Sequence, residues 1–170
     1  EIVGPDGLTY APLPREKYLM YRQYLSGLLG LPPKDLDMSS ISSALGNYHH
    51  KTAPNVAMFL GHGPIRLGAV DMEDVPLRGD VLKQAIQVME ESFEQGACGF
   101  ATGLSYYPNS FSDSEELVEL CKIAAKHDKA FSIHTRNHNV DRAYHGGGVE
   151  EALEIGRRSG VRVHLEHYRT

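Results

Sequence analysis

One recurrence constrains this chain more than anything else: short apolar runs alternate with helical stripes, and each run delivers a polar, ligand-capable residue at its end. The runs are Ile2 to Val3, Asn55 to Leu60, Gly99 to Ala101, Ala130 to His134 and Val161 to His167. Each is short and little interrupted by polar residues, as strands covered on both faces are. Between them, Leu82, Ile86, Met89 and Phe93 share one stripe of a helix ending at Gly96, and Leu117, Leu120, Ile123 and Ala124 share a second. Asp113, Glu115 and Glu116 read as helix-start charges of that second helix, where acids meet the positive end of the helix dipole. A third helix runs from Val149 to Arg158 and closes at Gly160. Repeated strand, helix, strand units fold into a parallel α/β sheet.

Residues 14–54 break the repeat with apolar-aromatic patches and a Pro-Pro pair, which predicts an insertion after the first strand carrying short helices. The 170 residues, 41% of them hydrophobic, fit a single domain. A closed (β/α)8 barrel takes about 250 residues, so five strands match either an open doubly wound sheet or part of a barrel. The polar residues favour the barrel. Asp6, His62, Thr102 with Tyr106, His134 with Arg136, and His167 with Arg169 follow the five runs in turn. Parallel barrels carry their catalytic groups at those C-terminal strand ends. The chain begins without Met inside a strand and stops on VRVHLEHYRT, so both ends read as cut.

A net charge of −5 and the lack of a basic stripe argue against nucleic acid as a partner. No apolar run approaches the roughly 18 residues of a membrane span, and the N-terminus carries no secretory pattern. Cys98 and Cys121 are not in a CxxC arrangement and read as buried thiols of a reducing, cytoplasmic compartment. A five-strand slice of a barrel would leave two edges and an uncovered interior, which predicts association of copies through the exposed edges.

His134 and His167 form the strongest pair. A single histidine is usually a packed or surface residue, but two at the ends of adjacent parallel strands can share one divalent ion, zinc by preference. Strand alternation places Val163, Leu165 and His167 on one face and His164 on the other, which makes His167 the ligand and His164 a surface residue. His62, between two glycines, either lines the active-site mouth or serves a tight turn.

The motifs Val3-Gly-Pro-Asp-Gly-Leu-Thr-Tyr-Ala-Pro, Asn55-Val-Ala-Met-Phe-Leu-Gly-His-Gly-Pro-Ile-Arg, Gly96-Ala-Cys-Gly-Phe-Ala-Thr-Gly-Leu-Ser-Tyr-Tyr-Pro, His134-Thr-Arg and His167-Tyr-Arg occur in that order. Together they resemble the N-acyl-D-amino-acid deacylases (D-aminoacylases) of the amidohydrolase superfamily. The resemblance implies a (β/α)8 barrel of which this chain holds about strands two to six, and zinc-dependent hydrolysis of N-acyl-D-amino acids. It implies zinc ligands at His134 and His167, ending strands five and six, and a third at Asp6, where the family has a cysteine. It also implies that Tyr106 and Arg169 bind the substrate carboxylate, with arginine in the place of a lysine, and that His62 belongs to the shared GHG motif. Two family acids after His-x-Arg are here Asn137 and His138. The resemblance further implies a His-x-His pair before Glu1 and a general-base aspartate after Thr170, so that the fragment alone is inactive. A dihydroorotase-like cyclic amidase and a non-enzymatic binding module are the alternatives.

Overall fold

A computed structural model describes residues 1–136 and 142–167. Five parallel strands make one sheet in sequence order: β1 (Ile2–Val3), β2 (Ala57–Gly61), β3 (Gly99–Gly103), β4 (Ala130–His134) and β5 (Arg162–Leu165). Consecutive strands that pair in parallel need a crossover each time, and helices supply it. These are α4 (His62–Val70) with α5 (Gly79–Glu94) after β2, α6 (Ser114–Lys126) after β3, and α7 (Gly148–Ser159) after β4. The result is the α/β partial barrel that the sequence predicts.

Register assigns the two faces. Leu60, Phe100, Phe131 and Val163 align across β2 to β5. The first three are fully buried under the helices, with the Phe100 and Phe131 rings stacked at 5.4 Å. The alternate rows, Phe59-Gly99-Ala130-Arg162 and Gly61-Ala101-Ser132-His164, face the concave side. A Cβ on Gly99 would come within 2.6 Å of the Phe59 ring, so glycine is required where that ring crosses the sheet. Small residues on this face leave a cavity of about 510 Å³ lined by Phe59, Ser132, His164, Glu166 and His167 among others.

The helices follow their stripes. α5 buries Ala85, Met89 and Phe93. α6 starts at Asp113, whose side chain accepts the Glu116 N–H at 2.9 Å, and α7 stops at Gly160 in the left-handed region. Residues 14–54 leave the sheet and form α1 (Arg15–Tyr24), α2 (Ser26–Leu29) and α3 (Ile41–Gly46), burying Tyr18, Tyr21 and Ile41. Among the described residues, no helix is long and apolar enough to cross a membrane.

Two strand boundaries differ from the sequence reading in ways that matter. The second strand runs to Gly61, so His62 opens α4 instead of sitting in a turn. The last strand stops at Leu165, so its alternation does not extend to His167.

Candidate metal centre

Asp6 belongs to a 3-10 turn, Pro5–Gly7, that packs over the ends of β2, β3 and β4. Glycines let it descend that far. A Cβ on Gly7 would lie 2.4 Å from the Ala101 carbonyl oxygen, and one on Gly103 would lie 2.6 Å from that of Asp6. Asp6 itself adopts φ +58°, a left-handed conformation that aspartate tolerates better than most side chains.

His134 is the last residue of β4, and His167 follows β5 in a turn, at φ +45°. The Asp6 carboxylate reaches both imidazoles: Oδ1 lies 3.5 Å from His134 Nδ1 and 3.3 Å from His167 Nε2. The three potential ligand atoms all fall within 4.8 Å of one another. Asp6 Oδ1 and His134 Nδ1 are buried yet make no hydrogen bond among the described residues, a state rare for buried polar atoms. Two ligand atoms held about 2.0–2.1 Å from a tetrahedral zinc stand about 3.3 Å apart, so these residues fit such an ion.

Neighbours hold the ligands in place. Glu166 Oε2 accepts the Asp6 N–H at 2.8 Å, and its other oxygen accepts the Ser132 hydroxyl. Asn109 Nδ2 donates to the Asp6 carbonyl at 3.2 Å. Burial, reinforced by the neighbouring Asp6 carboxylate, pushes the Glu166 carboxyl up to about 7. The Tyr106 ring packs on His134 with centroids 5.4 Å apart, beside the cluster. Of the residues proposed from sequence, Asp6, His134, His167 and Tyr106 are therefore brought together. Arg169, like Asn137 and His138, lies outside the described residues.

His62 does not join them, which corrects its assignment as a substrate-lining residue. Its side chain is fully buried on the helix side of the sheet, and both ring nitrogens are engaged. Burial holds the imidazole below its ordinary pKa. A carboxylate can only accept, so Nε2–H donates to Glu116 at 2.8 Å, and Nδ1 accepts from the Thr102 hydroxyl at 2.8 Å. Glu116 stands in the first turn of α6, the helix-start charge that the sequence predicts, but it is buried and also receives Arg66 Nη1 and the Leu77 N–H, each at 2.7 Å. Burial works against its ionisation, but the His62 and Arg66 contacts outweigh it and hold the carboxyl below its ordinary value. Arg136, after His134, is likewise buried, tied to Glu151 and to the Ser110 and Ser112 carbonyls.

His164 is exposed, as the sequence suggests, but it lines the same cavity as Glu166 and His167. The chain leaves the strand after Leu165, and the turn carries His167 to the mouth by backbone rotation instead of alternation. Sequence reasoning missed Glu166 and Asn109. The signal for Glu166 was present: an acid beside a ligand histidine, at the end of a mostly apolar strand.

The parallel order of the sheet, with a carboxylate and two histidines converging at its C-terminal rim, gives the fold of part of a parallel α/β barrel with a candidate metal site at its strand ends. No family model matches the chain. In sequence and fold it is similar to the N-acyl-D-amino-acid deacylases. It is 31% identical over 172 residues to N-acyl-D-glutamate deacylase of Alcaligenes xylosoxydans xylosoxydans, a match covering 99% of this chain and 33% of that protein. It is 28% identical over 172 residues to N-acyl-D-aspartate deacylase of the same organism, covering 99% and 32%. Among solved structures, N-acyl-D-glutamate deacylase from Bordetella bronchiseptica, complexed with zinc and a phosphonate inhibitor, superposes with a TM-score of 0.77 at 28% identity, covering 95% of this chain and 32% of that one. A D-aminoacylase structure shares the fold at a TM-score of 0.75 and 22% identity, covering 99% and 34%. The chain thus spans about a third of the length of these curated relatives.

Proposed function

We propose that this chain forms part of a zinc-dependent deacylase that hydrolyses the amide of N-acyl-D-amino acids to a carboxylate and a D-amino acid. The observation that carries the reading is the convergence of Asp6, His134 and His167 at the strand ends, with buried polar atoms left for an ion to satisfy. Similarity to N-acyl-D-glutamate and N-acyl-D-aspartate deacylases supplies the substrate class.

Asp6, His134 and His167 would hold a zinc ion, which when bound would supply a water of lowered pKa and polarise the scissile carbonyl. The ring of Tyr106 against His134 sets one wall of the substrate site. Tyr106 donates its hydroxyl to the substrate carboxylate. Arg169, which lies outside the described residues, would bind the same group, since an arginine can offer a carboxylate two parallel bonds where a lysine cannot. The proton-transfer carboxylate is not assigned to a residue of this chain. The free thiols Cys98 and Cys121 support a reducing compartment.

The test is hydrolysis by the zinc-loaded protein in its natural length, offered N-acetyl-D-glutamate, N-acetyl-D-aspartate, their L-enantiomers and dihydroorotate. Turnover of the D-substrates alone, abolished by a chelator and by Asp6→Ala, is expected. Turnover confined to the cyclic amide would replace this reading with a cyclic amidase.

A further inference from the structure

Asp6 sits in a three-residue turn between Gly4 at φ +90° and Gly7 at φ +64°, whose own backbone bond, from the Leu8 N–H to the Pro5 carbonyl at 3.3 Å, leaves both polar groups of the Asp6 peptide to be satisfied from outside the turn. What fixes its peptide comes from elsewhere in the chain. The N–H donates to Glu166 Oε2 at 2.8 Å, across 160 residues of sequence, and the carbonyl accepts from Asn109. Glu166 is nearly buried, and its second oxygen accepts the hydroxyl of Ser132, two residues before His134 on β4. A buried carboxylate is unfavourable without compensation, and among the described residues Glu166 makes no ion pair. It is spent on joining three places: the Asp6 turn, the strand that carries His134, and its own neighbour His167.

We infer that Glu166 is the positioning residue of the metal centre, fixing the Asp6 turn so that its carboxylate meets the ion held by His134 and His167. This rests on the zinc reading above. Glu166 orients a ligand through the main chain, from outside the set of atoms that touch the metal. Such outer contacts are worth about 10–100-fold in metal affinity.

The experiment compares Glu166→Ala, Glu166→Gln and Ser132→Ala with the unaltered protein, reading zinc affinity by chelator competition and hydrogen exchange of the Asp6 amide without metal. Glutamine keeps a carbonyl oxygen for the Asp6 N–H and can donate its amide to Ser132, whose hydroxyl also accepts. Glu166→Ala should therefore lose about 10–100-fold in zinc affinity and deprotect the Asp6 amide, while Glu166→Gln stays within about threefold on both readings. Unchanged affinity and exchange in Glu166→Ala would overturn the inference, as would a glutamine variant that falls as far as alanine. If Glu166→Ala does not fold, Ser132→Ala decides: faster Asp6 exchange supports the inference and unchanged exchange overturns it. If the unaltered protein binds no zinc, the zinc reading fails, and Asp6 exchange in the metal-free variants still decides the role of Glu166.

Discussion

Two clusters in this molecule are built from the same parts and behave as opposites. On the helix side, His62, Glu116 and Arg66 close on one another with Thr102 and the Leu77 N–H. At the rim, Asp6, His134 and His167 approach to 3.3–3.5 Å without forming hydrogen bonds. The first cluster is fully buried, and its carboxylate and imidazole are matched donor to acceptor; the second is partly open and leaves buried lone pairs unmatched. In the first cluster only Arg66 Nε lacks a partner among the described residues while the carboxylate and imidazole are matched, which fixes structure; unmatched carboxylate and imidazole atoms at the end of parallel strands are a place for a ligand. The presence of histidine and carboxylate is therefore not diagnostic of a site; the saturation of their hydrogen-bonding capacity is.

Substitutions should separate the two. Glu116→Ala strands the Arg66 charge in the interior, and loss of one partner of a buried pair typically removes about 3–5 kcal/mol of stability, read by denaturant unfolding. Asp6→Ala should do the reverse. It should abolish measurable zinc binding, a loss beyond the roughly 100-fold upper range for outer contacts, and cost stability in chelator only the roughly 1–2 kcal/mol that alanine incurs in the left-handed region. A large loss of melting temperature in chelator would place Asp6 with the structural cluster and end the comparison.

Thr102→Val sharpens the contrast at constant shape. It removes the hydroxyl that His62 Nδ1 accepts and should lose about 1–3 kcal/mol in unfolding, with zinc affinity unchanged. The smallest effect is a difference of sign with pH. The Glu116 carboxyl and the His62 imidazole are both held below their ordinary values, so their contribution is present near neutrality and lost as pH falls. Glu166 is raised to about 7, so in metal-free protein its contribution is present in acid and lost as pH rises through that value. Melting in chelator at pH 5 and pH 8 should show Glu166→Gln less sensitive than the unaltered protein on the alkaline side. Identical profiles would remove Glu166 from the titration.

The alternation of short strands with striped helices was legible in the sequence because burial on two faces leaves an unbroken apolar run, as at Ala130 to His134. So was the convergence of Asp6, His134 and His167, reached through motif order for Asp6 and through strand ends and alternation for the two histidines. What escaped is what depends on depth. Glu116 looked like a helix-start acid because its position on α6 says nothing about the layer beneath, and His62 looked like a loop residue because its flanking glycines masked a helix start. The two histidines of the last strand were sorted by alternation, but a left-handed residue after Leu165 redirects the chain, and both end beside one cavity.

The strand order has a further consequence, in the timing of assembly. Each strand pairs with its sequence neighbour, so the sheet can grow by successive local additions. Asp6 precedes the second strand and His167 follows the fifth, so the three residues of the candidate site meet only when every intervening unit has docked. An ion that binds this arrangement and not the open chain would stabilise the finished sheet alone. Zinc uptake would then report completion of folding, lagging behind the appearance of helix and strand.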